Sequence, residues 1–345
     1  MHAARADMSD TTAMRNHRRQ RRRLGGVRPC GLRTVLYHHI ADRPTPLVDR
    51  LTVTTPPAVF EAHLEHFVRH YDVVDLDHLL SGRLPKRPLL ITFDDGYRSI
   101  LDVAGPLLQR HDLPSVFFLS AAFLEPGSLP LDNLLCWLSH HHGLATLERH
   151  ITGQPATGAT LRQLMAVLAA MPLERRTVLG DALAARFGVD RARLRNESGL
   201  FLDSRELPAL AGLRMEIGNH TRSHLHCRAL VGKPEAAAAE LVDHRRRLEE
   251  WSGRAVRSFS YPYGSRSDAA PEVESALACS GHRATFLVES RSNPRGHRGP
   301  SWHRVSFQAQ PASRLYLRLA VLPRLRAIKD RVDARRRPIL RGQPA

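Results

Sequence analysis

The segment LLITFDDGY carries Asp94 and Asp95 directly behind an apolar run and ahead of Gly96. Adjacent carboxylates repel each other, and desolvation worsens the repulsion. A fold retains such a pair where a cation or a proton transfer uses it; the plain alternative is an Asp-Asp-Gly turn closing a strand. In EIGNHTRSHLHC, His220 and His224 stand four residues apart, so on a helical turn both imidazoles face one side. Two neutral histidines, one carboxylate and an open position make a catalytic divalent-metal site, commonly zinc. His226 falls off that spacing and reads as a surface residue. A third stretch, RSFSYPYG, stiffens the backbone at Pro262 and offers the Tyr263 ring and a bare backbone N–H beside Gly264. A fourth, VLYHHI, ends an apolar run in His38 and His39.

These groups need elements that hold them at one place. Short apolar runs recur at 34–40, 88–94, 115–120, 214–219, 257–263, 283–289 and 303–307, with amphipathic stretches between. In PPAVFEAHLEHFVRHY, Phe60, Leu64 and Phe67 recur at i, i+4 and i+7 behind prolines that a helix start tolerates. The segment KPEAAAAELVDHRRRLEEW is a good helix with a glycine stop. Strands alternating with helices imply parallel βαβ units, and about seven of them suit an α/β fold, a distorted or incomplete (β/α) barrel. Residues 125–205 hold helical pieces and no convincing strand, and read as a helical insertion beside the site. In such a barrel the chemistry sits at the C-terminal ends of the strands, where the polar runs fall.

The chain has 345 residues and a formal net charge of +17. Residues 1–33 carry a net of +7 and residues 314–345 a net of +8, which leaves +2 for the span between. A nearly neutral body argues against a basic groove for nucleic acid, and no specific nucleic acid is expected. The ends read as a basic arm (1–33) and a basic amphipathic tail (313–345) flanking a domain over 34–312. Both ends suit peripheral contact with an anionic membrane. No signal sequence or span of roughly 18 apolar residues is visible. The expected compartment is therefore cytoplasmic or membrane-peripheral, or extracytoplasmic if the start is mis-assigned. Four cysteines without CxxC spacing read as free thiols.

Taken in order, TFDDGY (Thr92–Tyr97), HTRSH (His220–His224) and FSYPYG (Phe259–Gly264) resemble the polysaccharide deacetylase family, the NodB-homology enzymes of carbohydrate esterase family 4, and closest their exopolysaccharide-biosynthesis branch. The resemblance implies metal-dependent N-deacetylation of an N-acetyl amino sugar in a glycan, or of a lipid-linked amino sugar. It implies Asp95, His220 and His224 as ligands of a divalent metal, zinc foremost, with Co2+, Ni2+ or Mn2+ as alternatives. It implies Asp94 as the general base. Tyr97, Pro262, Tyr263 and Trp302 are the expected substrate contacts, with a backbone N–H near Tyr263 facing the oxyanion.

The chain departs from that pattern twice. Where many members carry an arginine in the third motif, Ser260 stands, and Arg304 in WHRVSF is the candidate replacement, pairing with Asp94. The late L-x-H motif that holds the usual general acid is missing, and no histidine follows residue 305. Leu36-Tyr37-His38 is itself an L-x-H, and first and last strands of a ring are neighbours. His38 is therefore the expected acid, His303 the alternative and His39 structural. The competing reading is an inactive carbohydrate-binding module on the same fold.

Overall fold

The computed structural model describes residues 31–329 except 170, 292, 298, 300, 323, 324, 327 and 328. The basic arm (1–33) thus lies almost wholly outside the described residues, and so does much of the tail (313–345). Among the described residues there are eleven strands: β1 (Arg33–Tyr37), β2 (His39–Ile40), β3 (Thr54–Thr55), β4 (Asp72–Val73), β5 (Pro88–Phe93), β6 (Ser115–Leu119), β7 (Met215–Asn219), β8 (Ser258–Ser260), β9 (Ala284–Leu287), β10 (Ser301–His303) and β11 (Val305–Ser306).

The main sheet runs in the order β10-β9-β8-β7-β6-β5-β1-β11, with β4 also on β5. Every pairing in it is parallel. Its two ends, β10 and β11, are one extended segment interrupted by Arg304. Arg304 N–H donates to the Leu287 carbonyl at 2.8 Å and Phe307 N–H to the Leu36 carbonyl at 2.9 Å. The segment therefore leaves β9 and joins β1 across a single residue, closing the barrel through the chain. Counted as chain segments, the ring matches the seven apolar runs of the sequence.

Side-chain alternation sorts the strands into two apolar layers. Val35, Tyr37, Leu89, Ile91, Phe93, Phe117, Met215 and Ile217 face outward and pack against helix residues. Phe60, Leu64 and Phe67 of the helix Pro57–His70 are buried in that layer, as their spacing predicts, and His63 is buried beside them. Leu90, Val116, Phe118, Ala284, Phe286 and Trp302 face inward and fill the barrel. Polar side chains follow them toward the strand ends.

The stretch 125–205 forms the helices Leu131–His142, Leu144–Thr152, Leu161–Ala169, Leu173–Arg186 and Arg191–Ser198. They build a core of their own around Leu134, Leu135, Leu138, Leu164 and Leu183. Tyr97, Phe123 and Phe201 join that core to the barrel, the Tyr97 and Phe201 rings 5.9 Å apart. No described helix is long and apolar enough to cross a membrane.

Candidate metal and acid–base centre

The strand ends gather the polar motifs into one buried cluster. Asp94 and Asp95 follow β5 and are 2% and 5% exposed; His220, after β7, is 1% exposed. One atom each of Asp95, His220 and His224 lies within 4.8 Å of the others. The His220 Nδ1 donates to the Ser260 carbonyl at 2.7 Å. A carbonyl only accepts, so Nδ1 is the donor there and Nε2 is the nitrogen turned toward the carboxylates. That Nε2 lies 3.5 Å from Asp95 Oδ1 and 3.7 Å from Asp94 Oδ2. His224 Nε2 lies 3.2 Å from Asp95 Oδ1. Two imidazole nitrogens and a carboxylate, oriented by contacts behind them, fit a three-ligand cation site with an open position.

Burial pulls the His224 pKa down, but Asp132 and Asp95 outweigh it and hold it at about 9. For Asp95, burial opposes ionisation and the two histidines overcome it, holding the carboxyl far below the usual range. Groups perturbed this strongly by one another cluster at functional sites.

The loop that carries both histidines is tied from behind. Asn219 Nδ2 donates to the Leu241 carbonyl at 2.8 Å, and its Oδ1 accepts from Thr221 N–H at 3.0 Å. Glu240 accepts from Ser223 N–H and Oγ at 2.8 and 2.7 Å. The backbone is strained here: Asp95, Thr221, His224 and Tyr263 have φ of 81°, 61°, 49° and 61°. Non-glycine residues in that region cost about 1–3 kcal/mol each and persist where function requires them.

Asp94 is gripped by an arginine from the far end of the chain. Arg304, fully buried, donates through Nη1 and Nη2 to Asp94 Oδ1 and Oδ2, both at 2.7 Å. Its Nη1 also donates to Thr92 Oγ1 at 3.2 Å, and its Nη2 to Ser260 Oγ. The small side chain at 260 leaves the space through which Arg304 reaches Asp94. The guanidinium lies over the Phe118 ring, 5.3 Å from its centroid. Burial pushes the Asp94 pKa up, but Arg304 and His220 prevail and keep it below the ordinary carboxylate value.

His38 sits between β1 and β2, with Nδ1 buried and without a hydrogen-bond partner. Its pKa is lowered, first by burial, while Asp95 and Asp94 pull it back up. His303 stands in a different field: its Nδ1 is 3.3 Å from Glu289 Oε2, and the charges acting on it come from Glu289, Arg291, His297 and Arg266. His39 is 5% exposed and bonded through Nδ1 to Ser99 Oγ at 2.9 Å, a structural position.

Three sequence expectations need correction. Tyr97 is 1% exposed and accepts from Asn133 Nδ2 at 3.2 Å, pinning the insertion rather than walling a pocket. Trp302 is 8% exposed and packs inside the barrel level with Phe286, its register partner. His226 is not a surface residue: its Nδ1 bonds buried Asp268 at 3.0 Å and its ring stacks on Tyr263 at 4.1 Å. Pro262 is buried and Tyr263 partly exposed, above the site. The Gly264 N–H donates to the Tyr261 carbonyl at 3.0 Å, which leaves the N–H of Tyr263 itself as the oxyanion candidate. A side chain at Gly264 would strike the Val288 backbone at 2.3 Å, so that turn requires glycine.

One site residue has no motif. Asp132, in the first turn of the helix Leu131–His142, accepts from Tyr263 Oη at 2.7 Å and lies 3.6 Å from His224 Nδ1. In sequence it resembles any acidic residue at a helix start.

Residues 204–281 match the family described as polysaccharide deacetylase, a span that holds His220, His224 and Tyr263 but neither aspartate nor Arg304. Among solved structures, the Streptococcus pyogenes deacetylase PplD aligns over 84% of this chain and 99% of its own, at 12% identity and TM-score 0.55. IcaB from Ammonifex degensii aligns over 83% and 94%, at 19% identity and TM-score 0.52. A putative polysaccharide deacetylase from Bacillus anthracis aligns over 84% and 68%, at 13% identity and TM-score 0.52. These likenesses establish the fold. No curated protein matches the sequence.

Proposed function

We propose, from the premise that the chain belongs to the polysaccharide deacetylase family, that it is a metal-dependent hydrolase removing N-acetyl groups from the amino sugars of a glycan. The observation that carries this reading is the buried centre in which Asp95, His220 and His224 converge beside an Asp94 held by Arg304. Those three residues would hold a divalent cation, zinc foremost. Bound there, such an ion would supply polarisation of an amide carbonyl and a lowered pKa for water, from 15.7 toward about 7.

The remaining work falls to the chain's own groups. Asp94, kept ionised by Arg304, takes the proton of the attacking water. Arg304 holds both carboxylate oxygens, so the base cannot rotate away. Tyr263 N–H faces the developing oxyanion, and His38 gives the departing amine its proton. What supports His38 is its surroundings: Asp95 and Asp94 act on it, whereas Glu289 acts on His303.

The substrate is an N-acetylated polysaccharide or oligosaccharide, with a lipid-linked amino sugar as the alternative. Basic ends of net +7 and +8 favour work beside an anionic membrane, by peripheral contact. Absence of binding to anionic vesicles at physiological salt would remove that part. The test of the activity is acetate release from acetylated glucosamine oligomers, with chelator and Asp94→Asn as controls. Chelator-sensitive release lost in Asp94→Asn is expected. Glycan binding without release by the zinc-loaded protein would leave a binding module instead.

A further inference from the structure

A cavity of 280 Å³ lies on the seam between the insertion and the loop that carries His220 and His224. Arg222 and Ser223 of that loop form one wall; Leu131, Leu173 and Arg176 of the insertion form another. The lining carries Arg176, Arg191 and Arg222 against a single carboxylate, Glu125. Glu125 is 3.0 Å from Arg247, and Arg191 is engaged by Asp181 at 2.7 Å and the Leu129 carbonyl at 2.8 Å. Arg176 is also acted on by Asp132 and Arg222 by Glu240, so the lining is positive but partly compensated.

Arg176 is 7% exposed, and its Nε has no hydrogen-bond partner. Its guanidinium acts on Tyr263 and Asp132, so the cavity adjoins the reacting centre. A buried Nε–H without a partner is costly unless an acceptor completes it. Arg222, by contrast, is exposed, and Glu240, which attracts it, is already bonded to Ser223.

Backbone donors point to the same ligand chemistry. The helices Leu131–His142 and Leu173–Arg186 both begin at this cavity, behind Pro130 and Pro172, and neither start has a side-chain cap. The positive helix ends favour a negative group, as the arginines do, beside the one acid each first turn already carries, Asp132 and Glu174. The volume lies just below the roughly 300–1,000 Å³ of small-molecule sites. It suits an anionic substituent with part of a sugar ring.

We propose that this cavity is an anion subsite, taking a phosphate or carboxylate borne by the substrate beside its acetylated sugar. It rests on the deacetylase reading, and it makes the preferred substrate an acidic one. Arg176 and Arg222 grip the anion, and Arg176 links its arrival to Tyr263.

The test has two arms on the full chain. Inorganic phosphate and glucuronate are titrated calorimetrically into wild type, Arg222→Ala and Arg176→Gln. Loss of one charge-assisted contact should weaken binding about tenfold or more in each variant. Arg222 is exposed, so its variant remains informative should Arg176→Gln fail to fold. In the second arm, acetate release from N-acetylglucosamine 1-phosphate, N-acetylmuramic acid and neutral chitooligosaccharide is compared. Arg222→Ala should lower kcat/KM about tenfold more for whichever acidic compound supplies the anion than for the neutral one. The compound affected identifies phosphate or carboxylate as the source. Anion binding identical in wild type and both variants overturns the subsite, even if acetate is released. Binding lost in the variants, with no acetate released from any compound, upholds the subsite and overturns the deacetylase reading.

Discussion

Arg304 and Asp94 form a buried ion pair in which neither partner has water to fall back on, being 0% and 2% exposed. Removing one partner of such a pair strands a charge and costs about 3–5 kcal/mol. Arg304→Met should destabilise by that order in urea unfolding and abolish most activity. Arg304→Lys cannot reproduce the two parallel bonds to Asp94. The double variant Arg304→Met/Asp94→Asn should recover part of the lost stability, because no unpaired charge remains. A single-variant loss of about 0.5 kcal/mol, the scale of an ordinary surface change, would sink the idea. The acid is tested beside it. His38→Gln should lower kcat about 10²–10⁴-fold, the usual worth of a general acid, while His303→Gln stays near wild type. The reverse pattern would transfer the role to His303, although Glu289, 3.3 Å away, and not the aspartate pair is what His303 faces.

At the scale of elements, the insertion is part of the centre and not an ornament on it. Its first helix sets Asp132 against Tyr263 and His224, a partner that fixes the imidazole from behind. Such partners typically contribute 10–100-fold in metal affinity. Asp132→Asn should therefore weaken zinc binding by about that factor in competition with a chromophoric chelator, with far-UV circular dichroism unchanged. Unchanged affinity would reduce Asp132 to a helix-start residue. The strand-end motifs were legible because each is contiguous: an apolar run followed by its chemistry reads directly as a strand and its C-terminal end. Asp132 and Arg176 were not, because packing of the insertion brings them to the site and no spacing encodes that. Tyr97 and Trp302 misled for a related reason. Proximity in sequence to a motif placed them near the site, but packing against Phe201 and the register with Phe286 turned both rings into core.

At the scale of the whole molecule, closing the ring at Arg304 makes residues more than 200 positions apart depend on one another, and several histidines are sealed into that closed body. His39 on β2, His244 in the helix His244–Ser252 and His282 before β9 are 5%, 1% and 6% exposed. Burial lowers their pKa values from 6.5 to about 4, 4 and 3. The folded state keeps them neutral where the unfolded chain would bind protons. Their contribution is therefore complete above pH 6.5, falls as pH drops from 6.5 toward 4, and levels off once the folded forms also protonate. Each can remove about 1 kcal/mol per pH unit inside that window. The loss is independent of catalysis, since His39 packs on Ser99 and the Tyr97 ring. His39→Gln tests it. The variant loses the Ser99 bond at every pH, so its deficit relative to wild type should be largest at pH 7.5 and shrink by about 2 kcal/mol by pH 5. A deficit that stays constant across that range would show that the buried imidazole does not couple folding to protons.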